Sequence, residues 1–140
     1  MDSGRQEQMI AVIDVCGVTE ILLHKEKADK FYQTLQEAEL VMTPDLFVSE
    51  LTNTFWKYHT AKILSKDECI KYIKKGIGYI DSFINAKGIW EEAFSEGINN
   101  RHSIYDMLYM VTARRNNATL VTNDSALAAI CKKNHVLVCC

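Results

Sequence analysis

The chain has 140 residues, of which 48% are hydrophobic and 24% are charged, and its formal net charge is −2 at pH 7. This is the size and composition of one ordinary globular domain, which excludes a second full domain, a disordered chain and a fibrous repeat. No apolar run reaches the roughly 18 residues of a membrane span, so a membrane protein is excluded. Because residues 1–8 lack the features of a secretory signal, we expect a polar leader there and a single domain over residues 9–140.

The cysteines form no C-x-x-C pair, and five of them cannot all pair within one chain. This usage is typical of a protein in the reducing cytoplasm, which is the location we expect. Zinc would need two close pairs of ligands, or cysteine and histidine at short spacing, and the sequence has neither pattern. A zinc site is therefore not expected.

Charge is unevenly distributed along the chain. Residues 57–87 contain seven basic and three acidic side chains, whereas residues 1–56 contain four basic and ten acidic ones. Aromatic residues are interleaved with the lysines of residues 57–87, a combination that can track a phosphate backbone and stack bases. A solvated, lysine-rich helix surface is the alternative, and spacing alone favours it.

Apolar spacing in the first part of the chain predicts strands that alternate with helices. The predicted elements are a strand at 9–13, helices at 17–23 and 27–36, a strand at 40–42 and a helix at 45–59. The first strand ends at Asp14, as a buried parallel strand would. Thr43 and Pro44 predict the start of the last helix, since Thr can cap free amides and Pro suits the first helical position.

The alternation continues in the second part of the chain. Ser65 with Glu68 fits a capping box, which predicts a helix through Ile84 that Gly76 and Gly78 weaken or kink. The remaining predicted elements are helices at 90–97, 104–115 and 125–133 and strands at 118–122 and 136–139. Strands that alternate with helices throughout predict an α/β fold with a mainly parallel sheet.

Four carboxylates occur in apolar or helix-starting contexts rather than in charged segments, and they are Asp14, Glu50, Asp106 and Asp124. Asp14 and Asp124 lie at the carboxyl ends of predicted parallel strands, where open α/β sheets place ligand sites. Each acid also has a structural explanation, namely helix capping for Asp106 and Asp124 and solvent exposure for Glu50. Asp14 is the hardest to explain in this way, since an acid that ends a buried strand needs a partner or a metal.

The four acids together favour a metal site over four separate structural roles. Carboxylates gathered in one place repel each other, and a cation such as Mg²⁺ or Mn²⁺ keeps them ionised. Hard divalent ions prefer oxygen ligands, and no histidine lies close in sequence to Asp14, Glu50 or Asp124 to suggest zinc or iron. His102 lies near Asp106, but a single histidine is more often a polar surface residue than a ligand.

These motifs resemble those of the PIN-domain nucleases, and in particular the small VapC-type toxins of toxin–antitoxin pairs. The resemblance spans Met9 to Cys140 and rests on four motifs: VID, SELTN, SIYDMLYMVTA and ATLVTND. It implies a three-layer α/β/α sandwich on a mainly parallel sheet. It also implies that Asp14, Asp106 and Asp124 bind Mg²⁺ or Mn²⁺ directly, while Glu50 binds it directly or through water.

The resemblance extends to residues that support the acids. Asn53, one helical turn after Glu50, would line the same pocket, and Thr122 and Asn123 would position Asp124 or its water. Cys16 departs from the family pattern, which often has a hydroxyl or amide side chain there. This difference puts one supporting hydrogen bond in doubt but leaves the metal site in place.

The resemblance implies a Mg²⁺- or Mn²⁺-dependent endoribonuclease, a hydrolase in which an activated water attacks an RNA phosphodiester in line. Basic residues of the 57–87 segment, with Arg101, Arg114 and Arg115, are candidates to hold the RNA, and a solubility role is equally expected for each. A cognate antitoxin and a homodimer are the implied protein partners. The alternatives are a catalytically silent PIN-like module that binds RNA or protein and a housekeeping RNA-processing nuclease.

Overall fold

The computed structural model describes residues 8–140, so the leader predicted for residues 1–8 lies outside the described residues apart from Gln8. This part of the chain forms five strands, seven α-helices and one short 3₁₀ helix. The strands are β1 (Ile10–Ile13), β2 (Leu40–Pro44), β3 (Ser82–Ile84), β4 (Thr119–Val121) and β5 (Val138–Cys139). The helices are α1 (Val15–Leu22), α2 (Ala28–Glu37), α3 (Leu46–Thr60), α4 (Lys66–Gly78), α5 (Trp90–Asn100), α6 (Ile104–Arg115) and α7 (Ser125–Lys133), and the 3₁₀ helix is Ala86–Gly88.

The five strands form one parallel sheet in the order β3-β2-β1-β4-β5. The central strand β1 pairs with β2 on one side and β4 on the other, so that Val12 lies opposite both Met42 and Leu120. Since parallel strands end at the same edge of a sheet, the residues that follow β1 and β4 are brought together there. The predicted parallel sheet is confirmed.

Each face of the sheet has its own hydrophobic core, because successive strand residues point to opposite faces. Val12 and Leu120 belong to the core that also contains the buried side chains of α5, α6 and α7. Ile13 and Val121 belong to the core that contains the buried side chains of α1 to α4. The layers are therefore helices, sheet and helices, and the predicted α/β/α sandwich is confirmed. In residues 8–140, no helix has both the length and the apolar character required to cross a membrane.

The predicted start of α3 is wrong. Thr43 and Pro44 are the last residues of β2, and the buried Thr43 hydroxyl donates to the Ile13 carbonyl at 2.8 Å instead of capping the helix. Asp45 precedes α3, and its side chain makes no capping hydrogen bond. The Thr43 hydroxyl therefore bonds to the neighbouring strand β1 rather than to the first turn of α3. Local sequence spacing does not reveal this contact.

The helix predicted through Ile84 ends at Gly78, although the capping box of Ser65 and Glu68 that begins it is present. Residues 82–84 form β3 instead. The backbone N–H of Asp81 donates to the Val41 carbonyl, and the Asp81 carboxylate accepts from the Val41 N–H, both at 2.8 Å. This long-range pairing with β2 overrides the helical spacing of the segment.

Gly17 lies where the first turn of α1 meets the end of β4, and it generates a test of this packing. An added Cβ would lie 2.8 Å from the Val121 carbonyl oxygen, whereas an added Cβ at Gly78 has no neighbour within 4 Å. We predict that Gly17→Ala lowers the free energy of unfolding by about 1–3 kcal/mol, because a carbonyl held in a sheet cannot move away. The control Gly78→Ala should be neutral or stabilise by up to about 1 kcal/mol. Chemical denaturation measures both variants, and equal stabilities would contradict the close approach.

Candidate functional site

The four predicted acids line one cavity of about 290 Å³ at the carboxyl edge of the sheet. They come from four elements: Asp14 follows β1, Glu50 lies on α3, Asp106 lies in the first turn of α6, and Asp124 precedes α7. Asn53, Thr54 and Lys57 of α3 line the same cavity. The parallel sheet therefore gathers side chains that are more than a hundred residues apart in the sequence.

Asp14 is the most enclosed of the four acids, with only 6% of its surface exposed. Its Oδ1 accepts from the Gly17 backbone N–H at 2.8 Å, and its Oδ2 accepts a short hydrogen bond from the Thr122 hydroxyl. Burial nevertheless raises the pKa of Asp14 to about 6, and the charge of Asp106 adds to the increase. The protein thus holds a carboxylate where ionisation is costly.

Glu50 projects from α3 and is held by a buried tyrosine of α6. The Tyr109 hydroxyl donates to Glu50 Oε1 at 2.6 Å, and Tyr109 itself is only 2% exposed. Burial raises the pKa of Glu50, and the charge of Asp106 acts in the same direction. The same surroundings keep Tyr109 protonated, since burial and the facing carboxylates raise its pKa far above the ordinary value. Glu50 therefore faces the cavity. The structural explanation offered for it from the sequence, exposure to open solvent, does not apply.

Asp106 is paired with a histidine on the preceding turn. His102 Nε2 lies 2.6 Å from Asp106 Oδ2, so His102 is a partner of the site rather than the isolated surface residue that was expected. Ser103 caps α6 by accepting from the Tyr105 N–H. The capping explanation for Asp106 is thus weakened, because its carboxylate is directed to His102 instead.

Asp124 does cap a helix, as its structural explanation required. Its Oδ1 accepts from the N–H groups of Ala126 and Leu127 at 2.9 and 3.1 Å. Asp124 also lines the acidic cavity. The cap is therefore present, and its Oδ2 makes no part of it.

The supporting residues predicted around Asp124 differ in position. The fully buried Thr122 hydroxyl donates to Asp14 and accepts from the Asp124 N–H at 3.0 Å, so it links the ends of β1 and β4. Asn123 is exposed and lines a neighbouring cavity instead of the acidic one.

Cys16 occupies the position where a hydroxyl or amide was expected. Its thiol donates to Asp14 Oδ1 at 3.2 Å and lies 3.5 Å from the Thr122 hydroxyl. Burial, followed by the charge of Asp14, raises the pKa of Cys16 to about 12. The thiol therefore stays protonated and supplies the supporting hydrogen bond that its identity had put in doubt.

The sequence interpretation missed Tyr109, treated His102 as a surface residue, and counted Lys57 only as one of many basic candidates. Lys57 follows Glu50 by seven residues, which places both on one face of a helix, so the sequence could have indicated that Lys57 lies near Glu50. Tyr109 was hidden among the apolar residues of α6, and its bond to Glu50 spans 59 residues. Arg114 and Arg115, in contrast, form ion pairs with Glu92 and Glu96 of α5.

The donors around the cavity fit a hard divalent cation. Four carboxylates and the Asn53 amide offer oxygen ligands, which Mg²⁺ and Mn²⁺ prefer. Within residues 8–140, no three histidine, cysteine or acidic side chains form a complete metal site as they stand. Each carboxylate is instead held by a protein donor. Burial, with a smaller contribution from the charge of Asp106, raises the pKa of Asp14 and Glu50, and a cation in the cavity would offset both effects.

Comparisons with known proteins agree with this architecture. A family model described as PIN domain matches residues 11–133. Ribonuclease VapC3 of Pyrobaculum aerophilum is 21% identical over 122 residues, which cover 86% of this chain and 93% of the relative.

Two solved structures resemble the fold at 18% sequence identity each. PAE2754 from Pyrobaculum aerophilum has a TM-score of 0.71, with 89% of this chain and 87% of that chain covered. VapBC2 from Rickettsia felis, bound to a DNA fragment from its promoter, has a TM-score of 0.64, with 93% of this chain and 97% of that chain covered. These likenesses establish the fold.

The environment of Asp14 predicts a pH-dependent effect on stability. Its pKa of about 6 in the folded chain exceeds the ordinary 3.8, so the folded state binds the proton more tightly, and the associated stability is lost as pH rises from about 4 to about 6. Asp14→Asn carries no charge, and without divalent ions it should exceed the wild type in unfolding free energy by about 2 kcal/mol at neutral pH.

Denaturation in chelator at about pH 4 and about pH 7 measures this difference. The excess stability of Asp14→Asn should grow between the two pH values. An excess that is constant, or that shrinks with rising pH, would contradict the desolvated carboxylate.

Proposed function

The chain belongs to the PIN domain family, and from that premise we propose that it is a metal-dependent ribonuclease that hydrolyses RNA phosphodiester bonds. The observation that carries the proposal is the gathering of Asp14, Glu50, Asp106 and Asp124 around one cavity. A similar relative named Ribonuclease VapC3 supports the choice of RNA as substrate. The metal would be Mg²⁺ or Mn²⁺.

In this proposal Asp14, Asp106 and Asp124 hold the ion directly, and Glu50 holds it directly or through water. When bound, the ion lowers the pKa of a water and neutralises the charge that develops on the phosphoryl oxygens. Hydrolysis would break the bond between phosphorus and the 3′ oxygen, which would leave with a proton from water, and so would give a 5′ phosphate and a 3′ hydroxyl.

Neighbouring residues hold the acids in position for this chemistry. Tyr109 fixes Glu50, and Thr122 fixes Asp14, so two carboxylates need not reorganise when substrate arrives. Asn53 contributes an amide one turn from Glu50. Lys57 is exposed at the same cavity, where its ammonium group would contact the negatively charged substrate.

We further propose that the protein is the toxin of a toxin–antitoxin pair. The likeness to Ribonuclease VapC3 and to a VapBC2 structure supports this role, and a cognate antitoxin would be the partner. Homodimerisation, the other expected association, would use exposed aromatic surface such as Tyr32 and Trp90. Phe31, next to Tyr32 in the sequence, is fully buried and does not contribute to that surface.

The test of the activity is end-mapping of total cellular RNA after incubation with purified protein and Mn²⁺. We expect discrete new 5′-phosphate ends that disappear with EDTA and with Asp14→Asn, a variant that keeps the side-chain size. New ends that persist in folded Asp14→Asn would overturn the assignment. An absence of new ends would overturn the ribonuclease and favour the alternative, a PIN-like binding module without turnover.

Asp106 allows catalysis to be separated from helix stability. Asp106→Asn leaves the Ser103 cap in place and removes one charge from a partly exposed pair. We predict a loss of cleavage of at least about 100-fold, as for removal of a group that acts at the reacting phosphate, with an unfolding free energy within about 0.5 kcal/mol of the wild type. Cleavage assays and denaturation on the same preparation measure both. Lost stability with retained cleavage would instead assign Asp106 to the structure of α6.

A further inference from the structure

A second cavity, of about 260 Å³, adjoins the acidic one. Val15, Cys16 and Thr54 line both cavities, so the two lie side by side. Helix α3 forms one wall of both, because Glu50, Thr54 and Tyr58 recur at intervals of four residues on one helix face. The two cavities therefore adjoin each other along α3, and together they are called the groove.

The far part of this groove differs from the acidic cavity in its chemistry. It is lined by Lys25 and Tyr58, with Asn123 exposed beside them. Lys25 Nζ lies 3.4 Å from the Tyr58 hydroxyl and 6.0 Å from the centre of the Tyr58 ring. Since the hydroxyl accepts from the lysine, its own proton remains for another acceptor, and two donors adjoin each other at this point.

The neighbouring groups hold the pair in place. Phe55 packs against Tyr58 with ring centres 5.5 Å apart. Lys25 follows the turn at His24, where φ is +52°, and its backbone N–H donates to the Glu20 carbonyl at 2.9 Å. Glu20 also borders the cavity, but its carboxylate accepts from the Lys27 N–H at 3.2 Å and is only 8% exposed.

We propose that Lys25 and Tyr58 form a binding subsite for the phosphate of the nucleotide next to the scissile bond. The inference rests on the proposed function, because it takes the acidic cavity as the place of cleavage. A polyanion that enters an acidic cavity needs nearby cations to hold its flanking phosphates, and a groove that continues from the acids to a lysine and a phenol hydroxyl supplies one such position. Asn123 would contact the same nucleotide from the other rim.

Both residues are positioning residues, so their removal should weaken binding without slowing the chemical step. Lys25→Met removes the charge and keeps much of the side-chain length, and Tyr58→Phe removes only the hydroxyl and keeps the ring that packs on Phe55. The matched control is Lys133→Met, because Lys133 is also exposed but lies at the opposite end of α7 from the acids.

Two measurements test the subsite. The first is the anisotropy of a short, labelled, mixed-sequence single-stranded RNA on Asp14→Asn protein, with and without each second substitution, over a range of salt concentrations. Lys25→Met should weaken binding about five- to tenfold and reduce the slope of log affinity against log salt by about 0.7, the value for one lost phosphate contact. Tyr58→Phe should weaken binding and leave the slope nearly unchanged.

The second measurement is the kinetics of cleavage with Asp14 intact. Lys25→Met should raise KM by the same factor and leave kcat within about twofold, as for loss of binding that is equal in ground and transition states. If Lys25→Met matches Lys133→Met in salt slope and in KM, the subsite is overturned while the ribonuclease stands. If the wild type cleaves no RNA but Lys25→Met still lowers the salt slope, the ribonuclease is overturned, and with it the position beside a scissile bond, while the phosphate contact at Lys25 stands.

Discussion

Asp14 ends the central strand of the sheet with a carboxylate that is almost removed from water. The Gly17 amide, the Thr122 hydroxyl and the Cys16 thiol donate to it, and burial still raises its pKa to about 6. Burial of this charge lowers the stability of the folded chain at neutral pH, although the same carboxylate caps α1 by accepting from the Gly17 N–H. The consequence of this burial is electrostatic. A carboxylate that is costly to ionise interacts strongly with a cation or a developing charge in the same cavity.

The rest of the site follows from where that carboxylate lies. Parallel pairing of β1 with β4 brings Asp124 beside Asp14, and Thr122 bonds to both residues. The two helix layers then add one acid from each side of the sheet, Glu50 from α3 and Asp106 from α6. Beyond Val15 and Thr54 the groove is lined by Lys25, a cation that would suit a polyanion extending from the acidic cavity under the proposed function.

Sequence patterns predicted the features that depend on local spacing and strand ends. The alternation of strands and helices, the parallel sheet and the positions of Asp14 and Asp124 at strand ends are of this kind. The errors occurred where a long-range contact replaced a local pattern: Thr43 bonds to β1 instead of capping α3, and residues 82–84 pair with β2 instead of continuing α4. Tyr109 could not have been found from spacing, because its role depends on a hydrogen bond between α6 and α3. The roles of the four acids as metal ligands stay a prediction.

The most direct test of the account is calorimetric titration of Mn²⁺ into wild-type protein and into Asp14→Asn under identical conditions. If the buried carboxylate is the centre of a cation site, the wild type should bind Mn²⁺ saturably, and the substitution should weaken binding by at least about tenfold, the loss typical when a metal site is disturbed. Indistinguishable titrations of the two folded proteins would contradict the account, because the cost of burying Asp14 would then have no cation to explain it.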